Sequence, residues 1–447
     1  MPDTAWHGRG TTSRPCYVNV ALVCLAMLLA APSAVRFGRD LLAGPKSVDF
    51  AVYYLAGATL VADQPDIYQQ ELLPGLASAR GVPEYAPPYV YPPAFAAALR
   101  PLARLPYALA QDLWLALSVA CLGLAVWLLV RLAGLPARWP WLLAGAATVA
   151  LFPPVHVALR LGQVSPLLLL LCAGSVYFAL QPDRPHGDRS AAAAGISVAL
   201  ATMVKVTPGL LLPYLAATKR WRILAYALAG LTACLLLGML WGGGLPNTLA
   251  YFGTVLPGLY GQRLGIIQPD NQALSALFIR LFTPVSYPVA LLGQDDWRAI
   301  TFTPLIDSQW LASAASWLSA SVLLLGTGFA GLRAETCEHV ALVLSMALLV
   351  SLLIASCTYY HMYVLLLLPL ALLVRQSCRL RHRGLLDLAL TVYVLAAAQR
   401  YAQWLVYWTS SAWPASFGLY AALLLWGALL WLQSQTFTCC PNQLPGR

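Results

Sequence analysis

Twelve apolar runs, most of them near the length that crosses a bilayer, leave this 447-residue chain few ways to fold. They cover 17–37, 107–131, 139–157, 164–180, 189–204, 207–218, 221–241, 309–332, 338–357, 359–375, 385–405 and 416–433. About 20 apolar residues span the hydrocarbon layer as a helix. Backbone polar groups in that layer need partners within the protein, so the runs are predicted to be helical. With 60% hydrophobic and only 10% charged residues, the chain lacks the polar surface of a soluble globular domain. The expected fold is all-α and integral to a membrane: one polytopic unit over 1–447, a bundle of about twelve transmembrane helices. The run at 207–218 is too short to cross upright and is expected to be re-entrant.

Two segments, 38–106 and 242–308, are too long to be simple connectors and are expected to carry function. In the first, Phe50, Tyr53 and Leu60 form an apolar helical face, which predicts a short helix lying in the membrane interface. Lys219, Arg220 and Arg222, and the stretch from Arg375 to Arg383, are basic connections of the kind that stay cytoplasmic. That orientation puts both termini in the cytoplasm and both long segments on the outer face. The formal net charge of +10 therefore reads as topology and contact with membrane lipid, and no nucleic-acid partner is expected. The run ending Ala31-Pro32-Ser33-Ala34 also fits a cleavable signal peptide, although its length to Phe37 suits a span; either way the first long segment faces outward. The ten cysteines are scattered, with no Cys-x-x-Cys pair or zinc-like spacing.

Asp49 is the residue that most invites a chemical role. An acid beside a membrane surface is costly to desolvate, which makes it a functional candidate. It also stands where a helix N-cap is expected, ahead of Phe50, Tyr53, Tyr54 and Gly57 at helical spacing, and a cap can coexist with chemistry. The Pro-aromatic segment that includes Tyr91 reads either as a stiff connector or as a wall for a sugar or lipid. Arg160 and Gln163, Lys205, and His361 occupy three further outer turns. Each is ordinarily a membrane-edge anchor, but all lie on the side of Asp49. Trp241-Gly242-Gly243-Gly244 reads as a hinge, because no Gly-Lys-Ser/Thr follows to cradle a phosphate.

Asp49-Phe50 with Tyr53-Tyr54, Tyr91-Pro92-Pro93-Ala94-Phe95, Gly162-Gln163-Val164-Ser165, Lys205-Val206-Thr207-Pro208, Asn271-Gln272-Ala273-Leu274 and the outer His361 occur in an order found elsewhere. This set resembles the polyprenol-phosphate-mannose-dependent alpha-mannosyltransferase family of the GT-C superfamily, over most of the chain. Ala273 stands where the family usually has Ser. The resemblance implies a GT-C-like helical bundle and an outer cavity. There a sugar, mannose or in some members arabinofuranose, passes from a polyprenyl-phosphate donor to a glycolipid or glycan acceptor with inversion. It implies Asp49 as general base. On the donor's phosphate side the chemistry calls for cations, for which Arg160, Lys205 and His361 are available. Tyr53, Tyr54, Tyr91, Gln163, Asn271 and Gln272 are the expected substrate contacts. No cofactor is expected, since the lipid-linked sugar is a substrate. No second acid near Asp49 is spaced like a metal-ligand set, so no metal is expected either. The rival from another class is a transporter or flippase for a lipid-linked saccharide, which predicts internal repeats; none is evident.

Overall fold

The computed structural model describes residues 47–62, 66–69, 73–82, 87–181, 187–261, 270–290 and 297–435, with scattered positions between 27 and 39. Most of the expected first span therefore lies outside the described residues, as do Asp63, Glu71 and Glu84 of the first long segment.

That segment contributes three helices: α1 (Val48–Val61), α2 (Leu73–Ala79) and α3 (Pro93–Ala103). Contrary to the interfacial expectation, α1 is enclosed, with every residue from Phe50 to Leu60 buried. The reason lies in its composition. Beyond Asp49 it has apolar, aromatic or small residues on all faces, so no polar face remains to meet headgroups. Gly57 lets α3 close on it: a Cβ there would stand 3.0 Å from Ala103 Cβ and 3.2 Å from the Leu99 backbone.

Seven further helices follow. They are α4 (Tyr107–Leu132), α5 (Trp139–Ala150), α6 (Pro153–Leu161), α7 (Ser165–Ala179), α8 (Gly187–Val204), α9 (Leu211–Ala217) and α10 (Trp221–Trp241). The second long segment holds α11 (Gly244–Ala250), a π-helical turn at Tyr251–Val255, α12 (Leu256–Gly261) and α13 (Leu274–Phe282). It also holds an antiparallel hairpin, β1 (Val285–Ala290) against β2 (Trp297–Phe302). The chain continues through α14 (Gln309–Leu332), α15 (Cys337–Ile354), a 3₁₀ stretch at Tyr360–Leu366, α16 (Leu367–Leu380), α17 (Arg383–Thr409) and α18 (Phe417–Gln433).

Among the described residues six helices are long and apolar enough to span, and the pair α5 and α6, bent by 69°, makes up to seven. The expectation of about twelve counted apolar runs, and several of these form helices that miss the criterion. Over 164–180 and 207–218 the helices are too short, and α8 and α17 carry Asp188, Arg189 and Asp387 within them. α15 runs through the middle of the bundle, buried from His339 to Leu353, whereas α14 presents Trp310, Trp317 and Leu325 outward. This arrangement is that of a multi-pass membrane protein whose peripheral apolar side chains face lipid.

The basic connections collect at the start of α15. Glu338 accepts from Arg375 Nε at 3.0 Å and Gln376 Nε2 at 3.1 Å, pairs with Arg379, and is flanked by Cys337, which meets Arg220. The Asp49 region lies toward the other end of α15.

The bend between α6 and α7 brings that region together. Gly162 closes α6 with φ 68°, a left-handed conformation that glycine adopts without penalty. A Cβ at Gly162 would stand 2.7 Å from Phe50 Cβ and 3.1 Å from Ser47 Cβ, and its carbonyl accepts from Trp114 Nε1 at 2.7 Å. Gly162→Ala is therefore expected to destabilise the protein by about 1–3 kcal/mol, through both strain and overpacking. Thermal unfolding in detergent checks this, and an unchanged midpoint would show that α1 can shift to accept the methyl group.

Candidate functional site

Asp49 is the second residue of α1. The N-cap is Ser47, and its side chain makes no capping bond. This corrects the expectation that Asp49 is itself the cap, and leaves its carboxylate in the first helical turn, where the helix dipole favours negative charge.

One turn further along α1, the Tyr53 hydroxyl donates to Gln163 Oε1 at 3.2 Å and sits 2.9 Å from the Tyr91 hydroxyl. The Gln163 side chain is also the hydrogen-bonding neighbour of the Asp49 carboxyl and of Tyr91. Aromatic rings wall the cluster: Tyr53 meets Phe95 at 5.4 Å and Trp114 at 5.8 Å edge-on, and Phe50 stacks on Trp114 at 5.5 Å.

Lys205 enters from the break after α8. Its Nζ lies 3.3 Å from Met362 Sδ and 5.9 Å above the Tyr91 ring. Its charge interacts with Asp49, Cys357 and His361. Among the described residues Lys205 makes no ion pair, and a thioether, a weak acceptor, and a π-face lie against it. Burial pushes the Asp49 pKa up, with the Gln163 hydrogen bond and the Lys205 charge pulling it back. Burial likewise pushes Lys205 down, opposed by Cys357 and Asp49. For both groups desolvation outweighs the attraction between them.

The structure thus brings Asp49, Tyr53, Tyr91, Gln163, Lys205 and His361 together. Arg160 is half-buried in the last turn of α6, just ahead of the Gly162 bend. Tyr54 points elsewhere: its hydroxyl donates to Leu105 O at 2.8 Å and its ring meets Tyr107 edge-on.

Asn271 and Gln272 are fully buried and bind backbone. Asn271 Nδ2 donates to Ser356 O at 3.1 Å, and Oδ1 accepts from Ala273 N at 3.0 Å and Thr358 N at 2.9 Å. Gln272 Nε2 donates to Ala415 O at 2.7 Å and Oε1 accepts from Leu419 N at 3.2 Å. Their place in the structure is a knot that ties the second long segment to the chain just after α15 and at the start of α18. Arg280, which sequence reasoning passed over, completes it: fully buried on α13, it donates to Asn271 O at 3.1 Å and Ser416 Oγ at 3.0 Å. Its signal was present, since a lone Arg in an apolar helix needs acceptors. Tyr68, Tyr89 and Tyr251 were also missed; the Tyr68 hydroxyl donates to Tyr91 O at 2.9 Å, and Tyr68 stacks on Tyr251.

Among the described residues no three His, Cys, Asp or Glu side chains converge as metal ligands would.

A multi-pass helical protein with a desolvated acid, a cation and a tyrosine wall at one end of its bundle is what the geometry defines. The chain belongs to glycosyltransferase family 87, whose model matches residues 89–357. Tyr91, Arg160, Gln163, Lys205, Asn271 and Gln272 fall within the match; Asp49 and His361 lie outside it and meet Tyr91, Gln163 and Lys205 through the fold. The chain is also similar to a polyprenol-phosphate-mannose-dependent alpha-(1-2)-phosphatidylinositol pentamannoside mannosyltransferase of Mycobacterium tuberculosis (strain CDC 1551 / Oshkosh). It is 28% identical to that protein over 283 residues, which cover 62% of this chain and 60% of the relative. No solved structure matches.

The electrostatic coupling can be tested without reference to activity. Removing the Lys205 charge removes an attraction that favours ionised Asp49, so its pKa should rise further. Infrared titration of the Asp49 carboxyl, isolated by difference from Asp49→Asn, should move to higher pH in Lys205→Gln. No movement would mean that the two groups do not sense each other.

Proposed function

We propose that this protein transfers a sugar, mannose, from a polyprenyl-phosphate donor to a hydroxyl of a glycolipid or glycan, on the outer face of the membrane. The carrying observation is an acid and a cation that share one desolvated cluster with no ion pair among the described residues: Asp49 beside Lys205, whose ammonium lies against Met362 Sδ and the Tyr91 ring. An ammonium so placed suits an anionic ligand, and a lipid phosphate brings that charge from within the bilayer.

In the reaction the acceptor oxygen attacks the anomeric carbon from the side opposite the phosphate. The bond from that carbon to the phosphate oxygen breaks, its electron pair leaves with the phosphate, and the configuration inverts. Asp49 takes the acceptor's proton. Its raised pKa makes it a stronger base than an exposed aspartate. Lys205, with Arg160 and His361, meets the charge that grows on the departing phosphate. Tyr53 and Tyr91 give the sugar an aromatic wall with hydroxyls at its edge. The chain needs no cofactor in this scheme.

Asp49→Asn tests the central role. The Asp49 side chain is not the helix cap, so the variant should fold and bind donor. Transfer of label from polyprenyl-phosphate mannose to phosphatidylinositol mannosides should fall about a hundred- to ten-thousand-fold. Near-normal turnover would remove Asp49 from the chemistry. Lys205→Ala should raise KM for the donor much more than KM for the acceptor; equal effects would make Lys205 a membrane-edge anchor.

The outer-face assignment has its own test. On a background without native thiols, Asp66→Cys and Asp270→Cys should react with an impermeant maleimide in intact cells, and Arg220→Cys and Arg381→Cys should not. Labelling at 220 from outside would reverse the orientation.

A further inference from the structure

We infer that Gln163 is a positioning residue for the base, not a sugar contact: the Tyr53 hydroxyl fixes which way its amide points, so that its N–H side faces the Asp49 carboxylate. The inference rests on the reading of Asp49 as base and adds how that base is held.

The geometry is a line of polar side chains that ends beside Asp49. A side-chain amide has one accepting and one donating end, and nothing in its shape prefers either orientation. Here Tyr53 donates to Oε1 at 3.2 Å, which occupies the accepting end and turns Nε2 away from Tyr53. Asp49 lies one helical turn before Tyr53 on the same face of α1, and Gly162, the residue before Gln163, packs against Ser47 and Phe50 on either side of it, so the donating end is the one left to the Asp49 carboxyl. Tyr53 is held in turn by Tyr91 at 2.9 Å, and Tyr91 by the Tyr68 hydroxyl on its carbonyl at 2.9 Å. The backbone of Gln163 is equally constrained: Gly162 turns left-handed against Phe50, and Gln163 N donates to Ala158 O at 2.8 Å. Gln163 and Tyr53 are both buried, leaving the amide little room to turn over.

The arrangement solves a specific electrostatic difficulty. A desolvated carboxylate needs a donor to remain ionised, but a cation in bonding contact would quench its basicity. A neutral amide supplies the donor without a full charge. The ionisable groups facing Asp49 are Lys205 from the break after α8, Tyr53 on α1 itself, and Tyr91 ahead of α3. On the other packed elements, Tyr107 of α4 stacks on Phe50, His156 of α6 is bonded to Ala150 O, Arg160 of α6 ends that helix, and Arg100 of α3 reaches Trp241 O.

The test uses the full chain with polyprenyl-phosphate mannose and phosphatidylinositol mannosides as probes. Gln163→Leu, close in volume, should lower kcat about ten- to a hundredfold, the worth of a hydrogen bond to a charged group, with both KM values nearly unchanged. The acid limb of its pH–rate profile should move to higher pH, because the lost donor no longer favours the charged form. Tyr53→Phe, which removes one hydroxyl and should fold, is expected to give the same signs with a smaller effect. The double variant should be no worse than Gln163→Leu, since Tyr53 acts through the amide. A rise in KM with kcat preserved, a stationary acid limb, or additive losses would overturn the inference and make Gln163 a substrate contact or a packing residue. Infrared titration of Asp49 in Gln163→Leu reads the hydrogen bond independently of turnover. If that titration shifts while Asp49→Asn stays active, the base reading fails and the contact is structural. If Asp49→Asn is inactive and the titration does not shift, only the positioning role fails.

Discussion

Asp49 and Lys205 share a desolvated space without meeting in an ion pair, and much of the surrounding structure is arranged to keep them so. Burial works against the charged form of each, and the attraction between them only partly offsets this. A surface aspartate and lysine would relax toward contact or toward water. Here both are set on rigid supports, one in the first turn of an enclosed helix and the other at a break between helices. The close approach of α1 and α3 at Gly57, and of α1 and the α6–α7 bend at Gly162, removes the freedom that would let the carboxylate swing.

The buried knot around Asn271 does similar work for the second long segment. Hydrogen-bonded side chains in a low-dielectric interior are costly to leave unsatisfied, so such a cluster has few alternative arrangements. Asn271, Gln272 and Arg280 together reach Ser356, Thr358, Ala415, Ser416 and Leu419, which are far apart in the chain. Thr358 lies next to Tyr359, whose ring is 5.9 Å from that of His361. The knot therefore sets the approach of the chain to His361 and Met362, and through Met362 the surroundings of Lys205.

Hydrophobic runs made the class and most helix positions legible, because composition alone dictates which stretches must satisfy their backbone internally. It did not reveal which runs are long enough to span: 139–157 is one apolar run to the eye, but Pro153 and Pro154 start a new helix at a sharp angle. Neighbouring tyrosines look alike in sequence. A helix turns roughly 100° per residue, so Tyr53 faces the cluster while Tyr54 bonds Leu105. The hairpin was only weakly signalled: just Ile300-Thr301-Phe302 alternates cleanly, with Ile300 and Phe302 buried and Thr301 bonded to Ser286. Asn271 and Gln272 were conspicuous as polar residues in a long connecting segment, and polarity alone does not separate a residue that meets a ligand from one that pins backbone. That distinction needs the partner, which lies more than eighty residues away in the chain.

The same limit applies to Asp49 and explains why its environment matters more than its identity. A carboxylate paired to a cation in a buried site is stabilised as an anion but weakened as a base, and the cation is lost to any other ligand. A carboxylate with no donor at all takes up a proton. The amide of Gln163 lies between these extremes, and it is useful only in one of its two orientations. Tyr53 decides the orientation, Tyr91 decides where Tyr53 points, and Tyr68 anchors Tyr91. A property usually credited to one acid is thereby spread over a line of neutral side chains, which leaves Lys205 available to an anion from outside the protein.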